Sequence, residues 1–180
     1  MIKRSKVIKT IISNDYSKAG DSKYVKVRDY NALKEDFDDF VFKDDIVDAS
    51  SATLGLTAKD SGKTIVLNRA AGVTVSLPIS AVGLRFKFLV STSVTSNAYT
   101  INTNNTTDLF TGGVIIIDST TPEAPDMFSP DLSNDDSMAM DGSTTGGLVG
   151  TAFEIICTAP YRWFVTGTLN GSGTLATPFS

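Results

Sequence analysis

The chain predicts a mainly β protein: an antiparallel β-sandwich or jelly-roll-like domain, preceded by an extended N-terminal arm with one short helix. Three observations carry this reading. In Leu84-Arg85-Phe86-Lys87-Phe88-Leu89-Val90 the residues Leu84, Phe86, Phe88 and Val90 recur at every second position, the period of a strand with one buried face. Asp60-Ser61-Gly62, Ala71-Gly72 and Pro78 through Gly83 punctuate the strand-like runs, and glycine gives such reversals their positive φ. Charge then divides the chain. Residues 1–34 hold nine Lys/Arg against three Asp/Glu, a net of +6. Residues 35–48 hold seven acids against Lys43, a net of −6. The remainder carries −4, and Arg162 is its last basic residue and the only one beyond Lys87. Asymmetry of this kind marks an interaction tail. The division predicted is therefore an arm over residues 1–48 and a β-rich body over 49–180.

Within the arm, Lys3 and Arg4 precede Val7-Ile8-Lys9-Thr10-Ile11-Ile12, and Lys23-Tyr24-Val25-Lys26-Val27-Arg28 follows. β-Branched residues favour extended backbone, yet two isolated strands are marginal in water. Both segments are expected to add to another sheet, in a neighbouring protein or protomer. The contact residues are then Lys3, Arg4, Val7, Ile8, Ile11, Ile12, Tyr24, Val25 and Val27. Asn31 through Phe40 reads as a helix capped by Asn31. Leu33, Phe37 and Phe40 form its apolar face at i, i+4 and i+7, while Glu35, Asp38 and Asp39 form a solvated one. Lys and Arg also suit phosphate contacts, but the abundant Ile and Val and the adjoining acidic run weigh against nucleic acid as a partner.

In the body the candidate strands are 46–49, 53–57, 63–68, 73–77, 84–91, 98–102, 113–117, 152–158 and 161–167. The segment Leu56 through Val90 reads as an antiparallel meander. Residues 118–147 form the longest stretch without strand character, interrupted by Pro122, Pro125 and Pro130. Met127, Phe128, Met138 and Met140 give it apolar anchors, expected to pack on a neighbour. Gly171-Ser172-Gly173-Thr174 reads as a flexible tail.

Composition narrows the chemistry. There is no histidine and one cysteine, Cys157, so Ser-His and Cys-His catalysis have no base of the usual kind. Cys157 sits in the apolar run Phe153-Glu154-Ile155-Ile156-Cys157 and is expected to be a buried thiol. Ser61-Gly62-Lys63-Thr64 resembles the end of a phosphate-binding loop, but Thr57 stands where the first glycine belongs and a strand follows where a helix is needed. Asp131, Asn134, Asp135, Asp136 and Asp141 offer oxygen ligands without EF-hand spacing. Glu123 and Glu154 are the only glutamates of the body, and nothing in the sequence places either beside a second carboxylate. No catalytic residue, cofactor or metal is assigned. No apolar run has the length of a bilayer span, and the opening Met1-Ile2-Lys3-Arg4-Ser5-Lys6 leads into no secretory apolar region. Synthesis in a cytoplasm and no membrane partner are expected.

Three stretches carry a family resemblance. They are Leu56-Thr57 with Asp60-Ser61-Gly62-Lys63-Thr64, then Ala71-Gly72-Val73-Thr74-Val75-Ser76-Leu77-Pro78, then Gly83-Leu84-Arg85-Phe86-Lys87-Phe88. The chain closes the pattern with Tyr161-Arg162-Trp163-Phe164-Val165-Thr166-Gly167. Together these resemble the capsid decoration (cement) proteins of tailed bacteriophages and related head or tail fibre modules. The resemblance implies a non-enzymatic structural role on the virion surface. It also implies a homotrimer, and the major capsid protein as partner. A receptor- or glycan-binding fibre head is the other implied role, with loop 118–147, Tyr161 and Trp163 forming its sugar platform. For Trp163 the plainer expectation is core packing, because it alternates within an apolar strand.

Overall fold

The computed structural model of the chain describes residues 46–120 and 125–180, all within one compact unit, Lys43–Ser180. The arm residues and the helix face named above lie outside the described residues. The described residues form a two-sheet β-sandwich of eleven strands. They are β1 (Ile46–Ala49), β2 (Thr53–Gly55), β3 (Thr64–Leu67), β4 (Val73–Ser76), β5 (Arg85–Val90), β6 (Tyr99–Asn102), β7 (Leu109–Asp118), β8 (Asp126–Phe128), β9 (Ser137–Met140), β10 (Ala152–Ala159) and β11 (Arg162–Gly171). The larger sheet has the order β1-β3-β5-β10-β11-β7-β8, the smaller β2-β4-β6-β9. Ile46–Asp48, grouped with the arm by charge, thus sit in the body as part of β1, the outermost strand of its sheet among the described residues.

The meander expected over residues 56–90 is corrected. The first six strands alternate between the two sheets, and neighbours within each sheet run parallel. The chain therefore winds in coils, crossing from one sheet to the other after every strand. The physical reason lies in the connections. A two-residue reversal returns a strand beside itself, whereas parallel neighbours need a longer crossover. Here the crossover is the opposite sheet. Residues 56–63 and 77–84 carry the chain back to the larger sheet. The first of these holds a short 3-10 turn at Ala58–Asp60, and Asp60 closes it by accepting the Thr57 amide and hydroxyl. Apolar alternation is satisfied equally by either pairing direction, so both sheets are mixed. The antiparallel part is built from β5, β10 and β11, from β7 with β8, and from β6 with β9.

Two further expectations are overturned. The stretch 118–147 contains β8 and β9, and Met138 and Met140 are fully buried in this chain's own core, not presented to a neighbour. The Ser-Met-Ala-Met alternation was a legible two-residue period, masked by the weak β propensity of Met and Ala beside the surrounding turn residues. The C-terminal tail is held in place. The Ser172 amide donates to the Ser143 carbonyl, Ala176 to Thr144 and Ala139 to Pro178, and buried Phe179 bridges Met138.

The core lies between the sheets. Phe86, Phe88, Phe110, Tyr99 and Trp163 are its largest fully buried side chains. Phe88 stacks on Phe153 with ring centroids 4.8 Å apart, and Phe86 meets Trp163 at 6.2 Å. Among the described residues no helix is long and apolar enough to cross a membrane.

Candidate interaction surfaces

The outer face of the larger sheet follows directly from strand period and register. Inward residues of β5 and β10 fill the core, so Arg85, Lys87 and Leu89 point outward, as do Ala152, Glu154 and Ile156. Register then links Val66, Leu89, Ala152, Thr168, Ile115 and Met127 in one row across six strands. Five of the six are apolar. Leu89 and Ile115 are exposed, and Met127 is 81% exposed. Single exposed apolar residues are ordinary, whereas a connected row is the kind of surface that packs against a partner. Beside the row Arg85 donates to Glu154 Oε1 through Nε at 3.1 Å and Nη2 at 2.7 Å. This pair is largely exposed and adds little stability. It also occupies Glu154, the one body glutamate that lies among the described residues.

A second surface lies at the pole where residues 77–84 approach the β10–β11 hairpin. Tyr161 takes φ +63 there, a left-handed conformation unusual for a residue with a Cβ. Its amide donates to Ser80 Oγ at 3.2 Å, and Ser80 donates to Asp108 Oδ1 at 3.2 Å. Asp108 is fully buried, and its Oδ2 accepts the Trp163 indole N–H at 3.3 Å. This chain of bonds fixes the hairpin tip over the core and leaves Ile79, Val82 and Tyr161 exposed on top. Trp163 is thus core, as its alternation predicts, and offers no face to a sugar. Tyr161 remains free to do so.

The third is β1, outermost in its sheet among the described residues. Val47 and Ala49 face inward; Ile46 and Asp48 face outward. Asp48 accepts a hydrogen bond from the Asn68 side chain. Beyond β1 the sheet has no further strand among the described residues.

Other residues singled out by sequence are accounted for. Lys63 bonds Asp60 at 2.9 Å, and Thr64 begins a strand. That Lys63 bond, ahead of the Thr57 bonds, holds the Asp60 carboxyl below its ordinary value. Asp131 and Asp135 act in a local turn, accepting from Ser133 and from the Asp131 amide. Among the described residues no group of acidic, Cys or His side chains converges as a metal site. Cys157 is buried; burial first, and the Asp108 charge second, push its thiol pKa up. Because the thiolate is the reactive form, the folded protein should react with a thiol reagent far more slowly than the urea-unfolded chain. Equal rates in a colorimetric thiol assay would contradict this burial.

Comparison of the chain with family models, curated proteins and solved structures yields no match.

Proposed function

We propose that this chain is a non-enzymatic structural protein of a virion, a decoration protein that binds the shell of the major capsid protein and braces it as a homotrimer. The observation that carries the reading is the outward apolar row from Val66 to Met127. It gives a rigid two-sheet body a ready surface for packing against a large partner. The +6 charge of residues 1–34, with the apolar residues Val7, Ile8, Ile11, Ile12, Val25 and Val27, supplies a second attachment. Three linked protomers gain avidity through effective concentration even where each contact is modest.

The test is co-sedimentation with purified shells, alongside solution mass by light scattering. Full-length protein should have the mass of a trimer and pellet with the shells. Removal of residues 1–28 should abolish pelleting while leaving the far-ultraviolet circular dichroism of the body unchanged. Undiminished pelleting by the shortened chain would refute the role of the arm.

The exposed pole of Ile79, Val82 and Tyr161 favours a receptor- or glycan-binding fibre module as the second reading. Glycan-array binding lost on Tyr161→Ala, with shell binding absent throughout, would put it first.

A further inference from the structure

Residues 172–180 fill a groove of the smaller sheet, apart from the outward row of the larger one. β9 pairs with β6 along one edge. Its other edge is taken by residues 178–180, which lie antiparallel to it. The Ser137 amide donates to the Ser180 carbonyl at 2.9 Å, and the Ser180 amide returns a bond to the Ser137 carbonyl at 3.0 Å. The Asp136 amide adds a second bond to the Ser180 carbonyl at 3.1 Å. The Ala139 amide donates to the Pro178 carbonyl at 2.7 Å, and Pro178 has no N–H to return. Between these pairs Phe179 lies opposite Met138 and is 5% exposed, its ring centroid 6.2 Å from that of Phe110. The link to this strand is held more lightly. β11 ends at Gly171 with its register to β7 complete, so no strand of either sheet depends on the chain beyond it. Gly173, Thr174, Ala176 and Thr177 are exposed, and Leu175 is only partly buried. Gly173 takes φ +76, with open space where a Cβ would stand. A terminal segment with an exposed link and few buried side chains opens at lower cost than the body it rests on.

We propose that the groove along β9 is a recognition site for an extended peptide bearing one aromatic side chain, and that residues 172–180 are a strap that occupies it. Main-chain bonds to Asp136, Ser137 and Ala139 hold such a peptide whatever its sequence, and the pocket beside Phe110 and Met138 selects the aromatic residue. Strand alternation sends that one side chain between the sheets, so selection falls on the position of Phe179. A proline just before it is accepted, because the bond there runs from the Ala139 amide to the peptide carbonyl. When the strap leaves, the same bonds are offered to a peptide in trans, in competition with the tethered segment.

The experiment uses the full-length chain. The probe is a fluorescently labelled synthetic peptide with the sequence of residues 174–180, and binding is read by anisotropy. Phe179→Ala in the protein removes the anchor of the strap and leaves the strap attached. This variant should bind the peptide at least about tenfold more tightly than the parent, whose own strap competes at high effective concentration. A peptide that itself carries Phe179→Ala should not bind. A peptide N-methylated at Ser180 should bind several-fold more weakly, because its bond to the Ser137 carbonyl is gone. Equal binding to parent and variant would put the peptide elsewhere and overturn the groove. A folded variant that binds no peptide would overturn it too. If Phe179→Ala unfolds the body, hydrogen exchange of the parent decides. The Asp136, Ser137 and Ala139 amides, which donate to the strap, should exchange at least about tenfold faster than the amides of β10. Equal protection would make the segment an inseparable part of the core and overturn the strap.

Discussion

Trp163→Ala is expected to lower the unfolding free energy of the body by about 3–5 kcal/mol, the usual cost of removing a large aromatic from a packed core. Trp163 is fully buried and meets Phe86 across the sandwich. The same substitution removes the indole donor to Asp108. A buried polar group deprived of its partner costs roughly 1–3 kcal/mol more. Domains of ordinary stability hold about 5–15 kcal/mol in all, so the variant should be marginal or unfolded at physiological temperature. Urea denaturation followed by far-ultraviolet circular dichroism measures this, since the chain has no other tryptophan to report by fluorescence. Trp163→Phe keeps most of the ring packing and should recover much of the loss. Asp108, left with Ser80 as donor but without the indole, should hold it below the parent. A Trp163→Ala midpoint close to the parent's would mean that the closing strand does not carry the core.

Gly142→Ala should be nearly as damaging, although it adds only one methyl group. Gly142 has φ +81, and a Cβ there would lie 2.0 Å from the Val94 carbonyl oxygen. That contact is to backbone, so a rotamer change cannot relieve it. Moving the segment apart would break the bonds from the Gly142 amide to the Gly146 carbonyl, at 2.7 Å, and from Val94 to Gly147, at 3.2 Å. Asp141 braces the same turn. Burial raises its pKa, but the Thr145 and Ser143 amides and the Thr144 and Thr145 hydroxyls outweigh that and hold its carboxyl below the ordinary value. Gly62→Ala isolates the backbone-conformation part. Gly62 has φ +92, but a Cβ there meets nothing within 4 Å. The left-handed conformation alone costs about 1–2 kcal/mol, which is all that Gly62→Ala should lose. Gly142→Ala should lose clearly more, in the upper range of single substitutions at about 3 kcal/mol or above. Equal losses in paired urea titrations would show that the turn relaxes around the new methyl group.

Strand positions were legible because their signal is local. The period of two in Thr64–Leu67, Val73–Ser76 and Arg85–Val90 reports one buried face, and burial of that face is what the structure shows. The buried character of Cys157 and Trp163 followed from the same alternation. Of the candidate surfaces, the outward residues of β5 and β10 could be listed from sequence. Their union with Ile115 and Met127 into one row could not, because it depends on β7 and β8 lying beside β11. The arm residues, read from charge and composition, fall outside the described residues, so their placement rests on the experiments above.

The sequence alone determined that the body is β, where most of its strands begin, which face of each is apolar, and that histidine-based chemistry is absent. Tertiary structure decided the partners and their directions: parallel coils in the first half, and in the second antiparallel pairs together with the parallel pairing of β7 and β11. It also decided that Met138, Met140 and Phe179 close this chain's own core. The reason is physical. Alternation constrains the two faces of a strand, whereas its two edges carry the same backbone groups whatever the side chains, so pairing is chosen by connection geometry and by which surfaces the whole sandwich can bury together.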